Sequence, residues 1–445
     1  FTYLPETFTD EEFLGEAVNP ENLTLEHFEE LSERSLASAI SNTVITDDFF
    51  KEALLFSGDE TYSRAIGNLF LEPFELDNTD KFFTFHKNAL MEILKGNKKR
   101  NDRYYLTEGD FYLAREKRPY LIVGATILRL GNDTHNTRKI HCEYTPLYTG
   151  IRSFFDRAGR SGKQIGGGYV ETFAYDSRNP SEQQRTDGRW KVKVGRRRYR
   201  FTLSDMIGSS GAAPREILDK LLLKNIGFPE FHHWPISDIG KIDEEEYAHG
   251  DGGHLENLGI MPLLTRKVKN IIVFINGKTP FNADEGQYSG SIRALFEPVD
   301  DFEIQDILKG QQKFDVNIVF EEKKLETLLD AFKERQSKGE TLIHWDEYEV
   351  KQNDNYKIRP YTARICWIYN DKVENWNKKL GQSNDLGVKK IFESQEFSNF
   401  SHYRTFLQNP PKIIDLSKRQ VSALSHLSCW NVCQYADKIK KYFQL

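Results

Sequence analysis

Gly250-Asp251-Gly252-Gly253-His254 places one acid among three glycines, a composition that puts a carboxylate at a tip where a second reactant can approach the backbone closely. Leu255, Leu258, Met261 and Leu264 follow at helical spacing, so the expectation is a helix from about residue 254 to 267 with Asp251 just ahead of its N-terminus. A helix dipole there favours the ionised carboxylate, the form a general base needs. Asp251 is therefore the first candidate, with Gly252, Gly253 and Asn257 as its surroundings.

Gly208-Ser209-Ser210-Gly211-Ala212 offers a nucleophile. Small neighbours allow the strained strand-to-helix turn that exposes a catalytic hydroxyl, and Phe201 to Ile207 is apolar enough to be the strand before it. Ala212 and Pro214 weaken that pattern, so Ser210 is a nucleophile only if the nucleophile lies on this chain. Gly208, Ser209 and Gly211 are otherwise residues that line a site. His249, Asp251 and His254, with His232 and His233 upstream, could ligate a metal, although their spacing fits no standard helical zinc motif. Arg196, Arg197, Arg198 and Arg200 beside Trp190 and Tyr199 could hold an anionic head group, or form the solvated face of a hairpin turning at Gly195. Gly166-Gly167-Gly168 belongs to a stretch with four glycines in seven residues and reads as a loop.

These residues must be carried by a framework. Residues 1–75 read as helical, an outer layer or cap in which polar starts such as Asp47-Asp48 open apolar stretches like Phe49 to Leu55. The apolar run after Arg118-Pro119 reads as a central parallel strand. Ile140 to Tyr148 alternates, and residues 236–253, acidic and glycine-rich, read as an exposed loop. Strands at 269–275 and 361–369, a charged helix at 321–337 and a long helix at about 418–443 complete an α/β pattern. The division expected is a cap at 1–75, an α/β core at 76–320 and a C-terminal extension at 321–445.

The chain has 445 residues, and its 61 basic against 67 acidic side chains leave a net charge of −6. That balance gives no footprint for nucleic acid. No apolar run approaches the roughly 20 residues that span a bilayer, so the expectation is a soluble protein, cytoplasmic or peripheral at membranes. Cys142, Cys366, Cys429 and Cys433 are too few for a disulfide scaffold and read as core thiols.

Asp251-Gly252-Gly253-His254-Leu255-Glu256-Asn257-Leu258-Gly259, followed by the strand Lys269 to Asn276, resembles the catalytic-aspartate segment of the patatin-like and cytosolic phospholipase A superfamily, which includes the phospholipases B. Three further segments resemble that family in the same order: Thr61 to Phe70, Pro119 to Gly150, and Ser401-His402-Tyr403 with the residues after it. The resemblance implies a central mixed sheet flanked by helices, with a helical cap. It implies a lipid acyl-ester hydrolase of phospholipase A or lysophospholipase type in which Asp251 is the base of a Ser/Asp dyad needing no cofactor and no metal. It also implies transient contact with a membrane or micelle that presents phospholipid or lysophospholipid. The family's serine elbow has no counterpart upstream of residue 60, so the resemblance places the nucleophile on a companion segment preceding Phe1. A non-catalytic binding or scaffold chain, and a metal-dependent hydrolase built on His249, Asp251 and His254, are the alternatives.

Overall fold

A computed structural model describes residues 1–42, 61–97, 106–128, 139–156, 164–186, 189–195, 200–212, 227–234, 236, 244–300, 313–314, 316–402, 404–405 and 414–444. The expected apolar stretch at 49–55, Gly162, Arg196 to Arg198 and Tyr199 lie outside the described residues. The contacts cluster into two compact units, one of residues 1–7 and 51–262, the other of residues 8–50 and 263–445. Those boundaries differ from the three-part division at 75 and 320 expected from sequence.

In the first unit, β1 (Phe82–Thr84) pairs in parallel with β2 (Phe111–Leu113). The main sheet has six strands in the order β6-β5-β4-β3-β10-β9. Its members are β3 (Val123–Leu128), β4 (Ile140–Tyr144), β5 (Tyr148–Asp156), β6 (Gln164–Glu171), β9 (Glu230–His233) and β10 (Glu245–Asp251). Every pairing in it is antiparallel. The fold is thus mixed α/β, and the expected central parallel strand is central but antiparallel on both sides, because its neighbours β4 and β10 both run against it. A run buried on both faces looks the same in either direction, which is why composition could not decide it.

The triple glycine is in strand β6, not in a loop. Gly166 has φ +89, and a Cβ there would lie 2.2 Å from the Ser153 carbonyl oxygen, so the residue serves a tight, twisted pairing with β5 that bulges between Ile151 and Phe154. The hairpin seen is a different one from that expected about Gly195: β7 (Arg178–Thr186) pairs antiparallel with β8 (Arg189–Gly195), so the strand expected to follow Gly195 is replaced as partner by one that precedes it. Arg200 is engaged rather than open to an anion: it donates to Asp110 Oδ1 at 2.8 Å and to the Asp80 carbonyl, and stacks on Phe82.

One face of the six-stranded sheet is packed with aromatics around the buried Phe201. Its ring centroid lies 4.8 Å from that of Tyr175, 5.2 Å from Phe231 and 5.3 Å from Tyr144. Edge-to-face and tilted contacts of this kind add about 0.5–1.5 kcal/mol each beyond the area they bury.

The second unit holds β11 (Asn270–Ile275), β12 (Val299–Asp300), β13 (Lys313–Phe314), β14 (Leu342–Val350) and β15 (Tyr361–Tyr369). β11 runs parallel to β15, which runs antiparallel to β14. The expected strands and the charged helix, here Glu322–Ser337, are present. The final helix is two, Lys418–Cys433 and Ala436–Phe443, with Ile439 and Phe443 of the latter packed on Ile343, Cys366 and Ile368. Beyond the C-terminal ends of β11 and β15, His402 and Asp371 form a buried pair at 3.1 Å; the other ring nitrogen faces the Gly277 carbonyl at 3.0 Å, and Asp371 Oδ2 accepts from Phe281 N. Cys142 and Cys366 are core thiols as expected, whereas Cys429 is half-buried and Cys433 exposed. Among the described residues no helix is long and apolar enough to cross a membrane.

Candidate active site

Asp251 is the last residue of β10, paired across to Ala125 of the adjacent β3. Within the expected exposed loop at 236–253, Glu245–Asp251 is instead a strand flanked on both sides in the sheet, with His249 fully buried. Gly252 to His254 form one turn of 3₁₀ helix, and the Asp251 carboxylate caps it by accepting from Gly253 N at 2.7 Å. A Cβ on Gly252 would come within 2.7 Å of the Gly124 carbonyl oxygen, so glycine is what lets the tip close onto β3. A Cβ on Gly253 would stand 2.8 Å from Asn257 Oδ1 and 3.2 Å from Asp251 Oδ1. Asp251, Gly252, Gly253 and Asn257 thus lie together at this tip.

The helix expected behind them is not there in full; only Met261–Thr265 is helical. Gly259 takes φ +66, and the Glu256 carboxylate accepts from Leu258 N at 2.6 Å and Met261 N at 3.4 Å, so a side chain claims the amides that a helix would bond internally. Burial pushes the Glu256 carboxyl up to about 7 against the pull of those amides. The charge on Asp251 is favoured by the Gly253 amide rather than by a long helix dipole.

Ser210 does not sit in an elbow. Leu203–Ser210 is a helix opened by a capping box in which the Thr202 hydroxyl donates to Asp205 Oδ2 at 2.8 Å and accepts from Asp205 N. Ser210 ends that helix, where carbonyls rather than amides are exposed, the opposite of what stabilises an oxyanion. Ser209 is buried and donates to the Asp205 carbonyl at 2.7 Å. Gly208 serves packing: a Cβ there would lie 2.9 Å from Ser63 Cα on the Thr61–Phe70 helix. The small pairs Gly208/Ser63 and Gly67/Ser204 let the two helices touch. Burial raises the Asp205 carboxyl to about 6, opposed by Thr202 and Ser63.

Tyr62, which residue types alone did not single out, links the two candidate segments. Its hydroxyl donates to the Gly211 carbonyl at 2.6 Å, and its ring is buried. Burial first, and the charge of Asp251 second, push its phenol well above the usual range. The signal available in sequence was its place in the Thr61 to Phe70 segment.

Behind Asp251 runs a buried polar network. His249 Nδ1 is hydrogen-bonded to the Tyr144 hydroxyl. His249 Nε2 lies 3.0 Å from His233 Nε2 and 3.4 Å from the Tyr175 hydroxyl, which is 2.8 Å from His233 Nε2. The imidazoles stack at 5.2 Å. Burial, with a smaller contribution from His232, holds His233 down at about 3, so that ring is neutral at neutral pH. His232 turns the other way and bonds Asp176 at 2.9 Å. With both nitrogens of His249 facing these partners, the His249–Asp251–His254 metal set does not assemble. Among the described residues no group of three or more His, Cys, Asp or Glu is placed to hold a metal ion. A cavity of about 20 Å³, room for about one water, is lined by Thr149, Tyr175, Asp176, His232, His233 and Trp234.

The chain matches no known protein-family model, and no characterised protein is significantly similar to it.

Proposed function

We propose that this chain is the aspartate-bearing part of a patatin-like acyl-ester hydrolase acting on phospholipids or lysophospholipids, with Asp251 as general base and the serine supplied by a companion segment. The observation that supports it most is the placement of Asp251: a half-buried carboxylate at the end of a central strand, oriented by the Gly253 amide within a tip that only glycine fits. The ordered resemblance of four segments to the patatin-like family adds the reaction class. A carboxylate acting on serine without an intervening histidine must stand about 2.6–3.2 Å from the hydroxyl. It takes the hydroxyl proton as the serine attacks the acyl carbonyl, protonates the leaving alcohol, and then activates the water that releases the fatty acid. The serine comes from elsewhere in this reading because, among the described residues, Ser210 closes a helix instead of following a strand. The substrate meets the site at a membrane or micelle surface.

A second reading, a non-catalytic binding chain of the same fold, draws on that same placement of Ser210. Hydrolysis of a lysophospholipid by the chain together with its companion segment separates the two. Under the first reading Asp251→Asn lowers kcat by about 10²-fold or more, the scale of a lost general base. Unchanged turnover in that variant overturns it.

A further inference from the structure

Cys429 and Cys433 stand one helical turn apart on Lys418–Cys433, on the same face, with their sulfurs 3.8 Å from each other. Cys433 is exposed and Cys429 half-buried, so a reagent from solvent can reach both. Two thiolates bridged by one centre at bonds of about 2.3 Å lie roughly 3.3–3.8 Å apart, from a pyramidal to a tetrahedral centre, so the pair stands at that spacing with at most a small rotation of the side chains. The helix fixes that spacing, because residues four apart share one face and cannot separate without unwinding the last turn. Cys429 feels its neighbour: burial, then the hydrogen bond with Cys433, raise its thiol.

The number of ligands selects the chemistry. A structural zinc site needs four protein ligands, and among the described residues no third His, Cys, Asp or Glu joins this pair. A centre satisfied by two sulfurs is required, and a trivalent arsenic carrying one organic group is such a centre.

We propose that Cys429 and Cys433 form a two-thiol chelating site that takes a mono-organic arsenic(III) compound. The reaction forms two As–S bonds, breaks two S–H bonds and the As–O double bond, and releases one water with no change of oxidation state. Bridging fixes the end of this helix just before the Ala436–Phe443 helix that covers β14 and β15.

The test uses the full chain and phenylarsine oxide, read by intact mass and by competition. The wild type takes up one arsenical per chain, keeps it against a large excess of a monothiol such as glutathione, and gives it up to a small dithiol. Cys429→Ser and Cys433→Ser, each folded by circular dichroism, lose the monothiol-resistant adduct, with apparent affinity down by about 100-fold or more, the gain that a second tethered contact provides. A Cys142→Ser, Cys366→Ser double variant keeps it. Retention of the adduct in either single variant at position 429 or 433, or wild-type release by monothiol as easily as in those variants, overturns the proposal.

Discussion

His233→Phe separates the electrostatics of the buried histidine pair from its packing. His233 sits at about 3 in the folded protein against an ordinary value near 6.5, so the folded state resists a proton that the unfolded chain accepts. The stability tied to the neutral ring is therefore fully present above about pH 6.5 and lost as pH falls toward 3. Between pH 7 and pH 5 linkage gives a loss of about 2 kcal/mol, reduced to about 1–2 because the residue keeps some exposed surface. Asp205 and Glu256 work in the opposite sense: their raised values, about 6 and about 7, mean they bind protons in the folded state and add stability as pH falls. Both carboxyls are present in wild type and variant, so they cancel in the comparison. At pH 7 the variant is less stable by about 1–3 kcal/mol, because Phe cannot meet the His249 nitrogen and the Tyr175 hydroxyl. At pH 5 that gap narrows by about 1–2 kcal/mol as the wild type loses its histidine contribution. The assay is amide hydrogen exchange in β9 and β10 at the two pH values, which reads this unit alone. A gap that stays constant or widens between pH 7 and pH 5 refutes the assignment of a proton-resisting His233.

Gly252→Ala drives a methyl to 2.7 Å from the Gly124 carbonyl and is expected to cost about 1–3 kcal/mol in urea denaturation, whereas Gly277→Ala, with open space around it, is near neutral. Gly208→Ala meets Ser63 Cα at 2.9 Å and costs a similar amount, visible as a lower Tm. Asp371→Ala strips the buried His402 and the Phe281 amide of their hydrogen-bond partner and costs about 1–3 kcal/mol for each group left unsatisfied, measured by denaturation.

The strands and helices whose residue patterns are unambiguous were legible in sequence: Asn270–Ile275, Tyr361–Tyr369 and Glu322–Ser337 stand where their patterns put them. The reading failed where a side chain or a glycine does work that apolar residues usually do. β10 looks like a loop because Glu245, Glu246 and His249 are polar, yet His249 is buried by satisfying its nitrogens on Tyr144, Tyr175 and His233, residues far from it in sequence. The triple glycine looks like a loop because nothing local reveals the partner strand that demands it. The helix after Asp251 is cut short by Gly259 and by the Glu256 carboxylate, a competition that apolar spacing cannot see. Of the candidate residues, Asp251, Gly252, Gly253 and Asn257 gather at one tip, while Gly208, Ser209, Ser210 and Gly211 belong to a helix end reached through Tyr62.

The most direct test of Asp251 as the base is fluorophosphonate labelling of the chain together with the segment proposed to carry the serine, followed by peptide mapping. The account predicts a label on a serine of the companion that disappears with Asp251→Asn and persists with Asp205→Asn. A label that forms at the same rate in Asp251→Asn, or one carried by Ser210, contradicts it.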